Sequence, residues 1–123
     1  MTTYKRLEKD NFLLSSSEKA YDALITIESN GHGIVFLTNK DGQITASLSD
    51  GDIRRWLIND GQLNISSIEI GNKACKSIIY ENEKTFQENL RLIHKENPSL
   101  NLIPILDKNK KIIWITKIKN EQL

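Results

Sequence analysis

The strongest constraint on the fold of this chain is an internal repeat, because one order of elements occurs twice in 123 residues. Each half reads as a short strand, a helix, an apolar strand, a polar turn and a returning strand. The two hairpins align without a gap at Ile34/Leu102, Asn39/Asp107, Gln43/Lys111 and Ile44/Ile112. One half of about 60 residues buries too little surface to be stable alone. The repeat therefore predicts an α+β fold of two pseudo-symmetric halves packed sheet to sheet.

The repeat also sets the predicted boundaries within a single module of residues 1–123. The first half covers about 11–61, a connector covers 62–76, and the second half covers about 77–123. The connector is long for a loop, so its apolar residues are expected to hold it against a core. Residues 1–11 are mostly polar and charged, and we predict that they form a loosely held lead-in.

Composition excludes several classes of protein. The net charge of +1 argues against a dedicated nucleic-acid or membrane-surface binder. The N-terminus lacks an apolar signal core, and no run approaches the roughly 18 apolar residues of a membrane span. A single cysteine, Cys75, forms no internal disulfide, which suits a reducing cytoplasm. Because His32 and His94 are far apart in the sequence, no metal site and no Cys/His catalytic pattern is predicted.

The stretch best suited to binding is S-D-G-D-I-R-R, which follows a predicted strand at Ile44–Leu48 and opens a predicted helix. The first N–H groups of a helix lack intrahelical partners, and the helix dipole is positive there, so this turn favours an anion. A hydroxyl, two carboxylates, a glycine and two guanidinium groups lie within it. The candidate binding residues are Ser49, Asp50, Gly51, Asp52, Arg54 and Arg55.

A purely structural interpretation explains the same residues. Ser49 and Asp52 have the spacing of a capping box, in which the pair satisfies only the first turn of its own helix. Capping and binding do not exclude each other, so both interpretations stay open. Asp50 and Asp52 are two residues apart at a helix start and point in different directions, which argues against one metal ion between them.

Short motifs in both halves carry a family resemblance. The first half contains Ile34-Val35-Phe36-Leu37, Asp41-Gly42, Ile44-Thr45-Ala46 and Ser49-Asp50-Gly51-Asp52. The second half contains Ile103-Pro104-Ile105-Leu106-Asp107, Asn109-Lys110 and Ile112-Ile113-Trp114. Over nearly the whole chain, this pattern resembles the tandem CBS domain pair, or Bateman module, in which each motif has the order β-α-β-β-α.

The resemblance implies roles for residues of the first half. Asp52 would accept the ribose hydroxyls of a nucleotide, and Ser49 would contact its phosphate. Ile34 and Val35 would contribute to the slot for the base. The implied ligand is AMP, ADP or ATP, with no cofactor, no metal ion and no catalytic residue.

The second half departs from the family pattern. Lys117 stands where the first half has Ser49, and Asn120 stands where it has Asp52. Trp114 replaces a residue that is usually small in the family and could fill a base pocket with its indole. We therefore expect at most one working nucleotide site, on the first half. The chain stops at Leu123, where the last helix of the second motif should start, so we expect a segment excised from a larger protein.

The string S-D-G-D-I-R-R is also similar to those in CBS pairs of bacterial sugar-metabolism enzymes, especially the N-terminal pair of sugar-phosphate nucleotidyltransferases. The resemblance thus implies a non-catalytic regulatory module, a homodimer, that senses an adenine nucleotide or a related nucleotide. A nucleotidyltransferase catalytic domain would follow it in the parent protein. The alternative is a structural CBS pair that dimerises its parent enzyme and binds no ligand. No P-loop, Ser/His/Asp set or nucleotidyl-transfer loop is present, which argues against an enzyme.

Overall fold

A computed structural model describes residues 2–119 of the chain. In this part of the chain, the elements are β1 (Tyr4–Leu7), β2 (Leu13–Ser15), α1 (Ala20–Asn30), β3 (Ile34–Thr38), β4 (Ile44–Ser49), α2 (Asp50–Ile58), β5 (Ile78–Ile79), α3 (Glu83–Glu96), β6 (Leu102–Leu106) and β7 (Ile112–Ile118). The strands form two sheets, which confirms the predicted α+β class. None of the described helices combines the length and apolar character that crossing a bilayer requires.

The chain forms two compact units. The first unit is Asp10–Cys75, and the second joins the residues up to Lys9 with those from Lys76 onward. The sheet of the first unit has the order β2-β3-β4, and that of the second has the order β1-β7-β6-β5. In both units, the short strand before the helix runs parallel to its neighbour, and the hairpin strands run antiparallel. The predicted repeat is therefore confirmed at the level of strand order and direction.

The two hairpin turns repeat the same local geometry. Asn39 Oδ1 accepts hydrogen bonds from the N–H groups two and four residues later, both at 3.0 Å. Asp107 Oδ1 accepts the equivalent bonds at 2.8 and 3.0 Å. Register shifts also coincide, at Leu37/Thr38 and at Ile105/Leu106. A short side-chain acceptor at the first turn position fixes both hairpins in the same way.

The prediction of a loosely held lead-in is wrong, because the N-terminal residues form an edge strand. β1 pairs antiparallel with β7 along its full length. The ring of Tyr4 packs edge-to-face against Phe86, with centroids 5.0 Å apart. The guanidinium carbon of Arg6 lies 3.8 Å from the ring centroid of Trp114. Two aromatic contacts therefore hold a segment whose composition alone is polar.

The end of the predicted connector completes the sheet of the first unit in a similar way. Asn72 and Ser47 exchange two backbone hydrogen bonds, of 2.7 and 3.0 Å. A Cβ atom on Gly71 would lie 3.0 Å from Ala46 Cβ, so two small residues let the backbone cross the sheet here. Trp114 stands at the position of Ala46 in the second half. The segment before the first motif therefore pairs with the sheet of the second unit. The segment before the second motif pairs with the sheet of the first unit.

Each unit has its own apolar core. Fully burying one large apolar side chain stabilises the fold by about 1.5–3 kcal/mol. The core of the first unit contains Ala23, Ile27, Val35, Leu37, Ala46, Leu48 and Ile53. The core of the second unit contains Ile78, Phe86, Leu90, Ile103, Ile105 and Ile118. The first core anchors the turn between β4 and α2, since Leu48 precedes the turn, Ile53 follows it, and both side chains lie in this core.

Candidate functional site

The turn between β4 and α2 is closed by its own hydrogen bonds. Ser49 is the N-cap of α2, and its Oγ accepts a hydrogen bond of 3.0 Å from the N–H of Asp52. In return, the N–H of Ser49 donates to Asp52 Oδ2 at 3.0 Å. The capping-box interpretation is therefore confirmed, and such a cap contributes about 1 kcal/mol. Asp52 is fixed by Oδ2, which leaves Oδ1 for other partners.

Both carboxylates of the turn are paired with arginines. Arg55 Nη2 lies 2.8 Å from Asp52 Oδ1, and Arg54 Nη2 lies 2.8 Å from Asp50 Oδ2. The arginine side chains are 69% and 64% exposed, whereas that of Asp52 is only 24% exposed. Ion pairs this exposed contribute at most about 1 kcal/mol each. The turn is thus neutral as a whole, and its pairs are weak enough to be replaced by a ligand.

Arg55 also covers the start of α2. A Cβ atom on Gly51 would lie 3.3 Å from Arg55 Nη1, so the guanidinium folds back over the first turn of the helix. The N–H of Asp50 donates to the carbonyl oxygen of Gly33 at 2.8 Å. Together with the capped N–H of Asp52, this bond uses two of the first N–H groups of α2. An anion at this helix end would need the guanidinium to move.

The two apolar candidate residues differ in position. Ile34 is the cross-strand partner of Ser49, and it is half-buried beside the turn. Val35 pairs with Leu48, and its side chain is fully buried in the core. The structure therefore brings Ile34 to the turn, together with the six polar and glycine positions, and places Val35 behind it.

In the second unit, Trp114 lies in an aromatic cluster that sequence reasoning missed. Its ring centroid is 5.3 Å from that of Tyr80 and 5.9 Å from that of Phe86. Its Nε1 donates a hydrogen bond of 2.7 Å to Thr116 Oγ1. The cluster members are far apart in the chain, so no local spacing indicated their contact. The alignment of Trp114 with the small Ala46 was the one signal that a different packing would be found.

The positions of the second half that correspond to the candidate site are described only in part. Lys117, which corresponds to Ser49, is half-buried within β7. Asn120, which corresponds to Asp52, lies outside the described residues. Cys75 is half-buried, and desolvation raises the pKa of its thiol although hydrogen bonding with Ser47 opposes this shift. Among residues 2–119, no group of three or more His, Cys, Asp or Glu side chains is placed to hold a metal ion.

Comparison with known proteins identifies the fold. No protein-family model matches the sequence, and no curated protein matches it. Among solved structures, Staphylococcus aureus OpuCA has a TM-score of 0.71 at 12% identity, over 89% of this chain and 85% of that chain. A CBS domain protein from Pyrobaculum aerophilum complexed with AMP has a TM-score of 0.71 at 16% identity, over 89% and 81%. A CBS domain pair/ACT domain protein from Thermotoga maritima has a TM-score of 0.70 at 13% identity, over 90% and 84%. The chain therefore shares the fold of CBS domain pairs.

Proposed function

We propose that this chain is a non-catalytic cytoplasmic regulatory module that binds an adenine nucleotide at the turn between β4 and α2. The observation that carries the proposal is the state of Asp52, which its cap holds rigidly through Oδ2 while Oδ1 meets an exposed guanidinium. The P. aerophilum protein of the same fold is complexed with AMP, which supports an adenine nucleotide as the ligand.

Four residues of the turn, Ser49, Gly51, Asp52 and Arg55, have a role in this proposal. Asp52 Oδ1 accepts the ribose hydroxyls, which are neutral donors that a carboxylate binds strongly. Ser49 Oγ accepts one bond from the protein, so its own O–H donates to the phosphate. The helix dipole and Gly51 favour the phosphate at the same end of α2. Ile34 offers an apolar contact to the base, and Val35 supports it from the core.

Asp52→Ala is expected to weaken AMP binding by at least about tenfold, because a hydrogen bond to a charged group contributes about 1.5–3 kcal/mol. Calorimetric titration with AMP, ADP and ATP measures the effect. Asp50→Ala is the matched control, since Asp50 pairs with Arg54 and is expected to leave the affinity within about twofold.

The Asp52 variant also loses half of its capping box, so its fold is checked by circular dichroism before titration. Asp52→Asn keeps one side-chain acceptor for the cap, removes the charge and replaces the other oxygen by an NH2 donor. The proposal is overturned if the wild-type protein gives no heat with any of the three nucleotides. Equal affinity in the wild-type protein and in Asp52→Ala would also overturn it.

Arg55 makes the site selective for a phosphorylated ligand in this proposal. A ribose can donate to Asp52 Oδ1 only after the Arg55 guanidinium has moved away from it. Adenosine has no phosphate, so it provides no new acceptor for the displaced guanidinium. A phosphate at the start of α2 gives Arg55 a bidentate acceptor. Binding is therefore an exchange, in which Arg55 passes from the carboxylate to the phosphate.

Arg55→Ala is expected to reduce the preference for AMP over adenosine by about fivefold or more, because one charge-assisted contact to phosphate is lost and Asp52 is already free. Arg54→Ala, at the neighbouring arginine of similar exposure, is expected to keep the preference of the wild-type protein. Titration of AMP and of adenosine into the wild-type protein and both variants gives the ratios to be compared. Identical ratios in Arg55→Ala and Arg54→Ala would contradict the exchange.

A second candidate function is a homodimerising structural module without a ligand. The observation that favours it is that all four charged side chains of the turn already pair with each other. We propose that the chain self-associates under either candidate function. Sedimentation with and without AMP distinguishes the two, because only the nucleotide-binding module is expected to respond to AMP. A nucleotide changes the output of the module only if it binds two arrangements with different affinity.

We also propose, from the resemblance of Ser49–Arg55 alone, that the module regulates a sugar-phosphate nucleotidyltransferase domain in the same protein. The coding sequence of the gene tests this relation directly. A gene that encodes no such domain would refute it and leave the nucleotide proposal intact.

A further inference from the structure

The start of α2 offers a ligand fewer backbone donors than a free helix end would. Four N–H groups at the start of a helix lack intrahelical partners, and in α2 they belong to residues 49–52. The N–H of Ser49 donates to Asp52 Oδ2, and the N–H of Asp52 donates to Ser49 Oγ, both at 3.0 Å. The N–H of Asp50 donates to the carbonyl oxygen of Gly33 at 2.8 Å. Within residues 2–119, the N–H of Gly51 is the one of the four that has no acceptor.

The acceptor for the N–H of Asp50 lies in a loop that is rich in glycine. Residues 31–33 join the end of α1 to β3. Gly31 and Gly33 both have positive φ values, of 72° and 77°, a conformation that costs glycine little. Glycine therefore permits this path of the backbone but does not enforce it. The position of the Gly33 carbonyl has to be fixed by contacts from other residues.

Asn30, the last residue of α1, supplies these contacts with its side chain. Its Nδ2 donates hydrogen bonds of 3.0 Å to the carbonyl oxygens of Asn11 and Ile34. Its Oδ1 accepts a hydrogen bond of 2.7 Å from the N–H of His32. Asn30 therefore binds the residue before Gly33 and the residue after it. The Gly33 carbonyl is fixed between these two tied residues.

The Gly33 carbonyl has two effects on a phosphate at the start of α2. It occupies the N–H of Asp50, so the phosphate has the N–H of Gly51 as its single backbone donor. It also adds an oxygen acceptor at Asp50, whose side chain is itself a carboxylate. One phosphate group finds sufficient donors in the Gly51 N–H, the Ser49 O–H and the Arg55 guanidinium. A second phosphate group would meet oxygen acceptors in place of donors.

From these observations, we infer that Asn30 is a positioning residue that limits the site to a nucleotide with one phosphate group. By fixing the Gly33 carbonyl, Asn30 keeps the N–H of Asp50 occupied and leaves that of Gly51 open. The protein therefore binds AMP more tightly than ADP or ATP. The inference rests on the nucleotide site proposed above and specifies which nucleotide that site takes.

Asn30→Ala is expected to abolish the preference for AMP, because the released loop frees the N–H of Asp50 for a second phosphate group. In the wild-type protein, we expect AMP to bind at least about fivefold more tightly than ADP, since the two differ by at least one hydrogen bond to a charged group. In Asn30→Ala, we expect this ratio to fall below about twofold, because that bond can then form. Calorimetric titration in buffer with EDTA, which keeps Mg²⁺ off the phosphates, measures the dissociation constants.

Asn97→Ala is the matched control, because Asn97 also forms a side-chain hydrogen bond at a helix end, from Nδ2 to the carbonyl oxygen of Ile93 in the second unit. It is expected to keep the wild-type ratio. A merely structural role of Asn30 would weaken the binding of AMP and ADP by the same factor. An unchanged ratio in Asn30→Ala, or equal wild-type affinity for AMP and ADP, would overturn the inference and leave nucleotide binding intact. If the wild-type protein bound no nucleotide, the proposed function would fail, and the inference with it.

Amide hydrogen exchange followed by NMR provides a second test that needs no nucleotide. In the wild-type protein, the N–H of Gly51 is expected to exchange at least about tenfold faster than those of Asp50 and Asp52, relative to intrinsic rates, because of the three it alone lacks an acceptor in the described structure. In Asn30→Ala, the N–H of Asp50 is expected to approach the rate of Gly51. Equal protection of the Asp50 and Gly51 amides in the wild-type protein would contradict the inference.

Discussion

Replacing Phe86 by alanine is expected to lower the free energy of unfolding by about 3–5 kcal/mol, the range measured for truncated core aromatics. Phe86 is 1% exposed, so the substitution leaves a cavity in the second unit. The ring also contacts Tyr4, Tyr80 and Trp114, at centroid distances of 5.0, 5.6 and 5.9 Å. Its removal therefore eliminates the aromatic contacts that join α3 to β1 and to β7.

The two tryptophans make this measurement specific, since Trp56 lies in the first unit and Trp114 in the second. In a Trp56→Phe background, urea unfolding followed by fluorescence reports the second unit alone. Phe86→Leu keeps most of the volume and is expected to cost about 1.5 kcal/mol or less. Tyr21→Ala, at an exposed aromatic position, is expected to stay within about 0.5 kcal/mol. A loss below about 1 kcal/mol for Phe86→Ala would contradict the described core.

Removing residues 1–8 is expected to destabilise the second unit by about 3 kcal/mol or more, from the lost burial of Tyr4 and Leu7 and the lost strand pairing. The Arg6–Trp114 stack and the hydrogen bond from Tyr4 to Glu83 are lost as well. The deletion exposes the edge of β7, and an unpaired apolar edge strand promotes aggregation.

Urea unfolding in the Trp56→Phe background and light scattering measure the two effects of the deletion. Lys5→Ala, an exposed change within β1, is the control and is expected to stay within about 0.5 kcal/mol. If the shortened chain unfolded at the same urea concentration as the full chain and remained unaggregated, the N-terminus would be the loose lead-in that its composition first indicated.

The hairpins and the repeat were predictable because their determinants are local. The polar turn residues, the alternation of apolar strands and the gap-free alignment all lie within a few positions of each other. Asn39 and Asp107 act through backbone groups no more than four residues away. The capping box at Ser49 and Asp52 has the same property, so its spacing was sufficient to propose it.

The N-terminal strand and the aromatic cluster were not predictable in this way. Tyr4 meets Phe86 and Glu83 only after the chain has folded, and nothing near Tyr4 in the sequence indicates those partners. At the candidate site, the sequence identified the charged residues but not their pairing. Whether Arg55 binds Asp52 or a phosphate is decided by weak exposed contacts that residue identity does not determine.

The exchange of leading segments between the units shifts the boundaries of the two compact units away from those of the sequence repeat. A fragment that holds the first repeat with its own leading segment would contain β1 without β7, the strand with which it pairs. The same fragment would lack Asn72, which pairs with Ser47 in the sheet of the first unit. The contiguous fragment that keeps every contact of its sheet starts at Asp10 and ends at Cys75, across the repeat boundary. Truncated, permuted or transplanted forms of the module should therefore be cut at these two positions and not at the boundary of the sequence repeat.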